Sequence, residues 1–478
     1  MAFTDQTRAA QLLDRLIETD FTRRRPVFLL VALFLMVRLP WLWTGYGAET
    51  DAYRVALSAL HLFRDGEYLP SRLPGYPVHE FLMAPLVQIA GSVATNAATA
   101  LAALVGMLLL ARITQAIKYP QPGIVVIAFA FTPFLLVNSV ETKDYLWALS
   151  FLLASYLAAI KDRPVVAGVL LGLGAGCRIT TAAFALPLCL LYLDRRAVRA
   201  GAGFLVSLAV VALLVFLPVT LQYGMHFWNY ADSRISADIV VRSIGQYSIG
   251  AFGSLSLLAA LALSWRGVAR LPRLASTDVH VRIWIVAVLL YGLAFLRLPI
   301  DIAYLIPIYP FCFLLLARLI NPRLLAAVIA AIIFSGFIDL DISAMHNLNL
   351  RTFVRTARPC FSCAEFAHDW HVRKLYRHYA ATLATTQLPE HSIVLTGGVF
   401  PDFAVIAWNR FNYRVIDRDR DAVSMLSDDG AMVDTFHDVI YLASPRRPEV
   451  LQGLRGQGYR VLKADPTVPN WDVRLSPD

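Results

Sequence analysis

Charged residues are scarce in this chain of 478 residues: they make up 16% of it, whereas roughly a quarter is usual in soluble globular proteins. Hydrophobic residues make up 58%, and the mean hydropathy is +0.57. This composition excludes an ordinary soluble domain and predicts an integral membrane protein. The net charge of +9 does not indicate a nucleic-acid partner, because Lys and Arg concentrate in short links between apolar runs, as the positive-inside rule expects.

Cysteine is also scarce, with five residues in the chain. Cys177, Cys189 and Cys312 lie in apolar runs, where small buried residues are ordinary, and we expect them to be inert. Cys360 and Cys363 form a CxxC motif outside those runs, but the chain lacks the second cysteine pair of a zinc site. A disulfide between them remains open, as does a reduced or redox-active pair.

A nucleotide-binding signature and a cleavable leader are both unconvincing. Thr396–Gly398 follows a predicted strand, but it lacks the GxGxxG spacing and the later ribose-binding acid, so we expect no nucleotide cofactor. The first apolar run lacks a small-residue cleavage site and is followed by further runs, so we expect a retained anchor.

Apolar runs of about 20 residues, the length that crosses a bilayer, recur through the first part of the chain. We predict about eleven spans, near residues 26–43, 97–117, 122–138, 144–160, 164–177, 179–193, 201–221, 246–265, 281–296, 303–319 and 323–338. Residues 1–341 are therefore expected to form an all-α polytopic membrane domain with an external loop over 44–96. Within that loop, 78–93 is apolar but short, which favours an interfacial or re-entrant helix.

The basic links fix the expected orientation. If Thr22–Arg25 is cytoplasmic, alternation puts the other basic links on the same side and leaves the acidic loops outside. We expect a multi-pass protein of the inner (plasma) membrane with a cytoplasmic N-terminus. From Ile342 the composition turns polar, and predicted strands at 392–396, 413–416, 439–442 and 459–462 alternate with helical segments. This pattern predicts an extracytoplasmic α/β domain over 342–478.

Acidic residues in the predicted outer loops are the candidate catalytic centre. Glu49 and Asp51 follow the first span, and desolvation beside hydrocarbon can move a carboxyl pKa toward the working pH of a general base. Glu141 and Asp144 form a candidate second acidic site. A divalent metal, Mg²⁺ or Mn²⁺, is a candidate cofactor held by Asp51 and Glu141, because hard cations prefer oxygen ligands.

Two of these acids, Asp51 and Asp144, also have a structural alternative. Asp51 has two arginines, Arg54 and Arg72, as candidate ion-pair partners in the same loop. Asp144 has an equal claim as the acid favoured by the dipole at a helix N-terminus.

Basic residues at the same surface are candidates for binding a phosphate: Arg178, Arg297, Arg54, Arg72 and Lys143. Arg178 ends a glycine-rich turn, and a guanidinium binds phosphate bidentately; snorkelling to the interface is the alternative. For Arg297 the alternative is a salt bridge with Asp301. Candidates for positioning a substrate are His79, Glu80, Tyr76 and Tyr304, with an interface role as the alternative for His79.

Several short motifs occur in a recognisable order: Glu49-Thr50-Asp51, Arg72–Pro77, Phe131–Phe134 leading to Glu141 and Asp144, Gly172–Arg178, and Tyr304–Pro310. Over residues 20–340 their order resembles the GT-C superfamily of polyprenyl-phosphate-sugar-dependent glycosyltransferases, which includes protein O-mannosyltransferases and aminoarabinose transferases. The resemblance implies a helical body with a large external loop, and transfer of one sugar from a polyprenyl-phosphate carrier. The expected acceptor is an extracytoplasmic lipid, glycan or protein, and membrane lipids are further partners.

The resemblance also implies residue roles. Asp51 would be the base or a metal ligand, with Glu49 as its helper, and Arg178 and Arg297 would clamp the phosphate. The rival functions are a transporter or flippase of a lipid-linked or anionic substrate, and a glycan polymerase or ligase. The charges lie near one surface and no inverted repeat is apparent, which favours the enzyme over the transporter.

Overall fold

A computed structural model describes residues 2–224, 237–297, 301–341, 358–385, 392–395, 405, 414–416, 438–441, 448–464 and 475–477. Thr396–Gly398 lies outside these residues.

Helices dominate the described chain up to Ser335. They are α1 Ala2–Glu18, α2 Arg24–Arg38, α3 Thr50–Arg64, α4 Pro77–Ala116, α5 Pro122–Phe131, α6 Pro133–Asn138, α7 Tyr145–Ile160, α8 Pro164–Cys177, α9 Ala185–Asp194, α10 Val198–Tyr223, α11 Ala237–Arg242, α12 Ala251–Leu263, α13 Trp265–Val268, α14 Leu271–Thr277, α15 Val279–Arg297, α16 Tyr309–Leu319 and α17 Pro322–Ser335. Short 3₁₀ turns occupy Leu39–Trp43, Ile179–Phe184 and Ile302–Ile308, and a π-helical turn, Ser243–Ser248, follows α11.

Proline sets several helix boundaries. Helices α4, α5, α6, α8 and α17 each begin at a proline, whose fixed φ and missing N–H suit the first position of a helix. The same residue type also ends helices: Thr132 before Pro133 has ψ 123°, and it divides the apolar run 122–138 into α5 and α6.

The number of membrane-spanning helices is lower than predicted. In the described chain, five helices are long and apolar enough to cross a membrane, or six if a bent pair counts as one span. Five further apolar segments, Pro122–Phe131, Tyr145–Ile160, Pro164–Cys177, Ile179–Asp194 and Pro322–Ser335, have only 10–17 residues. The prediction of about eleven spans counted these short helices, which are bounded by prolines, turns or charged links before they reach about 20 residues. The coarser prediction, a polytopic helical membrane body, is confirmed by the apolar helices.

Two breaks shape the helices beside the predicted outer loops. Helix α4 runs over 40 residues but has non-helical backbone at Ala90 and Gly91, inside the predicted segment 78–93 and before the predicted span 97–117. The pair Ile239–Ser248 and Ala251–Leu263 is bent by 95°. Gly250 lies in this bend with φ +75°, and a Cβ there would come within 2.1 Å of Ser335 Oγ, so the bend requires glycine.

Small residues allow close packing in the bundle. Helix α8 lies against α10, and a Cβ at Gly168 would approach Phe204 O to 2.3 Å. In lipid no hydrophobic force drives helices together, so close van der Waals packing at small residues such as Gly168 is what holds them. At the predicted cytoplasmic end, links far apart in sequence meet through ion pairs, including Arg318 with Asp278 at 3.0 Å and Arg323 with Asp14 at 2.8 Å.

The described part of the chain after Ser335 contains strands and two helices. β1 Asp339–Asp341 pairs antiparallel with β2 Arg358–Cys360, with Asp339 opposite Cys360. A second sheet has the order β4–β3–β5–β6–β7, where β3 is Ser392–Leu395, β4 Arg414–Ile416, β5 Asp438–Tyr441, β6 Arg460–Ala464 and β7 Leu475–Pro477. Its first four strands are mutually parallel, with Ile393 opposite Val439 and Val439 opposite Val461, and β7 is antiparallel to β6. The four parallel strands lie at the positions predicted from sequence.

Helix α18, Glu365–Thr385, packs against the membrane body, whereas α19, Pro448–Gly456, packs on β6. The ring of Trp41, at the end of the first apolar run, lies 5.1 Å from the ring of Trp370 and 6.2 Å from that of Phe366. At least the first helix after residue 342 is therefore part of the body's packing. The division into domains 1–341 and 342–478 stays a prediction.

Candidate functional site

The proline-rich loop after α3 is held by a buried carboxylate. Glu80 accepts hydrogen bonds from the Tyr68 hydroxyl, from Ser71 N at 2.8 Å and from Tyr76 N at 3.1 Å. Glu80 is fully buried, so its carboxylate orders the loop and is not open to a substrate. The Leu73-Pro74 peptide bond in this loop is cis.

Asp51 forms the ion pairs that the sequence offered as its structural alternative. It lies in the first turn of α3, accepts a hydrogen bond from Arg72, and has an oxygen 3.6 Å from Arg54 Nη1. Both cations proposed for a phosphate, Arg54 and Arg72, thus engage this one carboxylate. Tyr76 lies beside them, with its ring centre 5.4 Å from the Arg72 guanidinium carbon.

Glu49 belongs to a different cluster, centred on Lys143. The Lys143 ammonium lies 2.6 Å from a Glu49 oxygen and 2.9 Å from a Glu141 oxygen. Lys143 and Glu141 are buried, whereas 52% of the Glu49 side chain is exposed. The structure therefore brings together Glu49, Glu141 and Lys143, and it separates their contacts from those of Asp51.

Arg373, on α18, is the main residue of this site that the sequence analysis missed. It is fully buried and donates to Glu141 Oε1 at 3.2 Å, to Asp369 Oδ2 at 2.8 Å and to the Val140 carbonyl at 2.9 Å. Burial raises the pKa of Glu141, but Lys143 and Arg373 more than offset this and leave it below its ordinary value. A sequence signal was present, because Asp369 and Arg373 are spaced i and i+4, but no helix was predicted over these residues.

A second cation, Arg178, is enclosed by a carboxylate and two tyrosine rings. Its guanidinium donates to Asp144 Oδ2 at 2.9 Å and lies over the rings of Tyr145 and Tyr304, 3.7 and 4.3 Å from their centres. The Tyr145 hydroxyl donates to Asp301. These five residues, Arg178, Asp144, Tyr145, Tyr304 and Asp301, are called the Arg178 cluster below. Tyr76 lies further out, 5.9 Å from the same guanidinium.

Two other predicted residues are placed apart from these contacts. Arg297 is exposed at the C-terminal end of α15, before residues that the structure does not describe. His79 is fully buried, with its ring 5.9 Å from that of Trp147, and neither ring nitrogen has a hydrogen-bond partner among the described residues.

The two predicted metal ligands pair with separate cations, whereas the two cysteines of the predicted disulfide lie close together. No group of three or more His, Cys, Asp or Glu in the described chain is placed to hold a metal ion. Asp51 and Glu141 pair with different cations, so they do not form the oxygen cage that Mg²⁺ or Mn²⁺ prefers. Cys360 and Cys363 lie within bonding reach of each other, as a disulfide requires. That pairing stays a prediction.

A cavity of about 610 Å³ opens beside Glu49, between the first loop, α6, α11 and α18. Its polar lining residues are Glu49, Asn138, Glu141, Arg242, Ser243, Glu365, His368 and Asp369. We call it the carboxylate cavity, because four of these are acids. Asp51 is not among its lining residues.

Three carboxyls of this cavity, those of Glu49, Glu365 and Asp369, have raised pKa values. Burial, together with the nearby charges of Asp369, Glu141 and Glu49, raises the pKa of Glu365 to about 8. Burial raises the pKa of Asp369 to about 6, although Arg373 opposes the shift. In the described part of the chain Glu365 has no ion-pair partner, unlike Asp369.

An apolar groove of about 810 Å³ lies on the other side of the segment Ala237–Ser248. Val241, Ile244 and Ser248 line the groove, together with residues of α12, α15 and α16, whereas Ile239, Arg242 and Tyr247 line the carboxylate cavity. This segment is thus a wall between an apolar and a polar space. It ends in a π-helical turn, an arrangement often found at functional sites.

The chain is similar to known glycosyltransferases, in sequence over part of its length and in fold over most of it. Residues 76–300 match the model of glycosyltransferase family 87. ArnT from Cupriavidus metallidurans bound to undecaprenyl phosphate has a similar fold, with a TM-score of 0.54 at 14% identity over 92% of this chain and 93% of ArnT. The chain is a glycosyltransferase with an ArnT-like fold.

The apo structure of ArnT is similar to this glycosyltransferase to the same extent, with a TM-score of 0.56 at 13% identity over 92% of this chain and 93% of that one. No curated protein matches the sequence significantly. The predictions of a membrane enzyme and of a glycosyltransferase are confirmed. The residue roles that the resemblance implied are not tested by these likenesses.

Proposed function

We propose that this glycosyltransferase moves a single sugar from a polyprenyl-phosphate carrier to an extracytoplasmic acceptor at the carboxylate cavity. The observation that carries the proposal is the shared wall, Ala237–Ser248, between the apolar groove and the cavity. A lipid-linked sugar needs hydrocarbon surroundings for its chain and polar surroundings for its head group. The likeness to ArnT bound to undecaprenyl phosphate supports this class of carrier.

Arg242 is proposed to meet the phosphate of the carrier. It lines the cavity, while its neighbours Val241 and Ile244 line the groove, so this residue lies at the boundary where a lipid phosphate would be held. A guanidinium binds phosphate oxygens bidentately. Arg178 is a poorer candidate than predicted, because Asp144 and two tyrosine rings already occupy its guanidinium.

Glu49 is proposed as the base, in place of Asp51. About half of its side chain opens to the cavity, and the protein around the other half, together with the nearby charges of Asp301 and Glu141, raises its pKa despite the opposing effect of Lys143, as suits a proton acceptor. The acceptor hydroxyl gives its proton to Glu49 as its oxygen forms the new bond to the anomeric carbon. The bond from that carbon to the phosphate oxygen breaks, and the lipid phosphate leaves with the electron pair. Asp51 holds Arg54 and Arg72 in the loop.

Native mass spectrometry of the purified full chain tests the donor class. We expect a bound lipid with the mass of a polyprenyl phosphate, with or without one sugar, and we expect Arg242→Ala to lose it. Arg266→Ala is the matched control, because Arg266 is exposed on α13, the short helix that follows α12. Retention of that lipid by Arg242→Ala would remove the phosphate role. Finding only bulk phospholipid in the wild type, even with added polyprenyl-phosphate sugar, would overturn the carrier.

The base is tested with a radiolabelled polyprenyl-phosphate sugar as donor. Glu49→Gln is expected to lower the transfer rate by about 10²–10⁴-fold, the usual contribution of a general base. Asp51→Asn is expected to have the smaller effect, and the reverse order would return the role to Asp51. A product that gains one sugar supports single transfer, whereas a growing ladder would indicate the polymerase.

A further inference from the structure

The wall of the carboxylate cavity is rich in hydrogen-bond acceptors, while two of its cations lie behind it. Glu49, Glu141 and Asp369 line the space. Lys143 and Arg373, which neutralise them, are buried and are not among the lining residues. A group that enters the cavity therefore meets oxygens first.

Asn138 is a second, independent indication that the cavity binds a ligand. It lines the cavity and is 4% exposed, and its amide nitrogen donates to the Phe134 carbonyl at 2.9 Å. Its Oδ1 has no partner among the described residues. A buried amide oxygen left unpaired costs free energy, so a ligand that donates to it is favoured.

Glu365 stands across the same space on the first turn of α18. Since burial and neighbouring acids raise its pKa to about 8, it is largely protonated at neutral pH and can both donate and accept a hydrogen bond. The other three acids, Glu49, Glu141 and Asp369, pair with two buried cations, Lys143 and Arg373. Arg242 lines the cavity as a third cation, so the numbers of ionised acids and of cations are equal. This balance gives an ammonium group no unpaired charge, and the oxygens repel an anion.

We propose that the carboxylate cavity is the acceptor subsite and that it takes a neutral, hydroxyl-bearing group, held by hydrogen bonds to Asn138 Oδ1 and Glu365. The inference rests on the proposed function, because it names the substrate class of the same site. It makes α18, from beyond the predicted membrane body, part of substrate recognition.

Photoaffinity labelling of the full chain in lipid nanodiscs tests it. The probe is an octyl glucoside that carries a diazirine, and the competitors are octyl glucoside, anionic octyl glucuronide and cationic octyl glucosaminide. We expect labelled peptides from 134–141, 239–247 and 365–372, with competition strongest by the neutral glucoside. Glu365→Leu is expected to weaken labelling about fivefold, the value of one hydrogen bond of about 1 kcal/mol, whereas Glu365→Gln keeps it.

Glu449→Leu, at an exposed acid on α19, controls for a general loss of charge. Unchanged labelling in Glu365→Leu, labels confined to other segments, or stronger competition by the glucuronide or glucosaminide would each overturn the inference. Labelling as expected in a protein that binds no polyprenyl-phosphate lipid would instead overturn the proposed carrier and leave the sugar subsite standing. Retention of bound lipid by Glu365→Leu shows that the variant is folded.

Discussion

The Arg178 cluster and the carboxylate cavity contain similar residue types but differ in how fully they are closed. In the cluster the cation has a carboxylate, Asp144, and rings on two sides, although the second oxygen of Asp144, Oδ1, has no hydrogen-bond partner among the described residues. Of the residues that line the cavity, Glu365 has no ion-pair partner and Asn138 has a buried Oδ1 without a hydrogen-bond partner in the described chain. The difference teaches that a buried charge on a membrane protein is not by itself a binding site; an unfilled space beside unmatched groups is the better sign.

Removal of the Arg178 cation is expected to have the largest effect, and it tests whether the Arg178 cluster is structural. Arg178→Met leaves the fully buried Asp144 without its cation, and we expect the free energy of unfolding to fall by about 3–5 kcal/mol. Tryptophan fluorescence during denaturant titration in detergent measures the loss. The double variant Asp144→Asn/Arg178→Met is expected to recover part of it. A stable Arg178→Met protein that loses donor binding would make the cluster a ligand site.

Arg373→Met is expected to be destabilising by a smaller amount, about 3 kcal/mol, because Lys143 still neutralises Glu141. The same unfolding titration measures it. Arg377→Ala is the matched control one turn further along α18, where Arg377 is exposed and donates to the Trp43 carbonyl at 2.8 Å. Equal losses in both variants would show that α18 docks through its surface and not through the buried cation.

The raised pKa of Glu365 predicts that the stability of the protein depends on pH through a residue of the carboxylate cavity. Its pKa rises on folding from an ordinary 4.5 to about 8, so the folded chain holds this proton more tightly than the unfolded chain. The contribution of Glu365 to stability is therefore present below pH 4.5 and is lost as the pH rises through about 8. Glu365→Gln, which cannot titrate, should flatten this fall in unfolding titrations between those values. An unchanged slope would contradict the assignment.

The smallest expected effect is that of metal removal. Because Asp51 and Glu141 engage separate cations, we expect EDTA to change the transfer rate by less than about twofold. Assays with and without added Mg²⁺ or Mn²⁺ measure it. Complete loss of activity, restored by one of these ions, would bring back the predicted metal.

The sequence analysis succeeded where a signal was local and failed where it was long-range. Strand patterns placed β3 to β6, and alternation of basic links placed Glu49, Glu141 and Asp301 at one end of the bundle. Arg373 was missed because its partner Glu141 is 232 residues away. The local sequence around either residue does not indicate the contact between them. Spans were overcounted because hydropathy does not register the proline at which a helix starts or stops.

The contacts of Arg373 also have a consequence for biogenesis. The carbonyls of Val137 and Val140 and the carboxylate of Glu141 lie between early helices, yet one of their partners, the Arg373 guanidinium, is translated more than two hundred residues later. During synthesis these groups lack this partner while the remaining helices are inserted. We expect nascent chains that stop before residue 373 to be open at this end and vulnerable to proteases, and maturation of the site to be among the last steps of assembly.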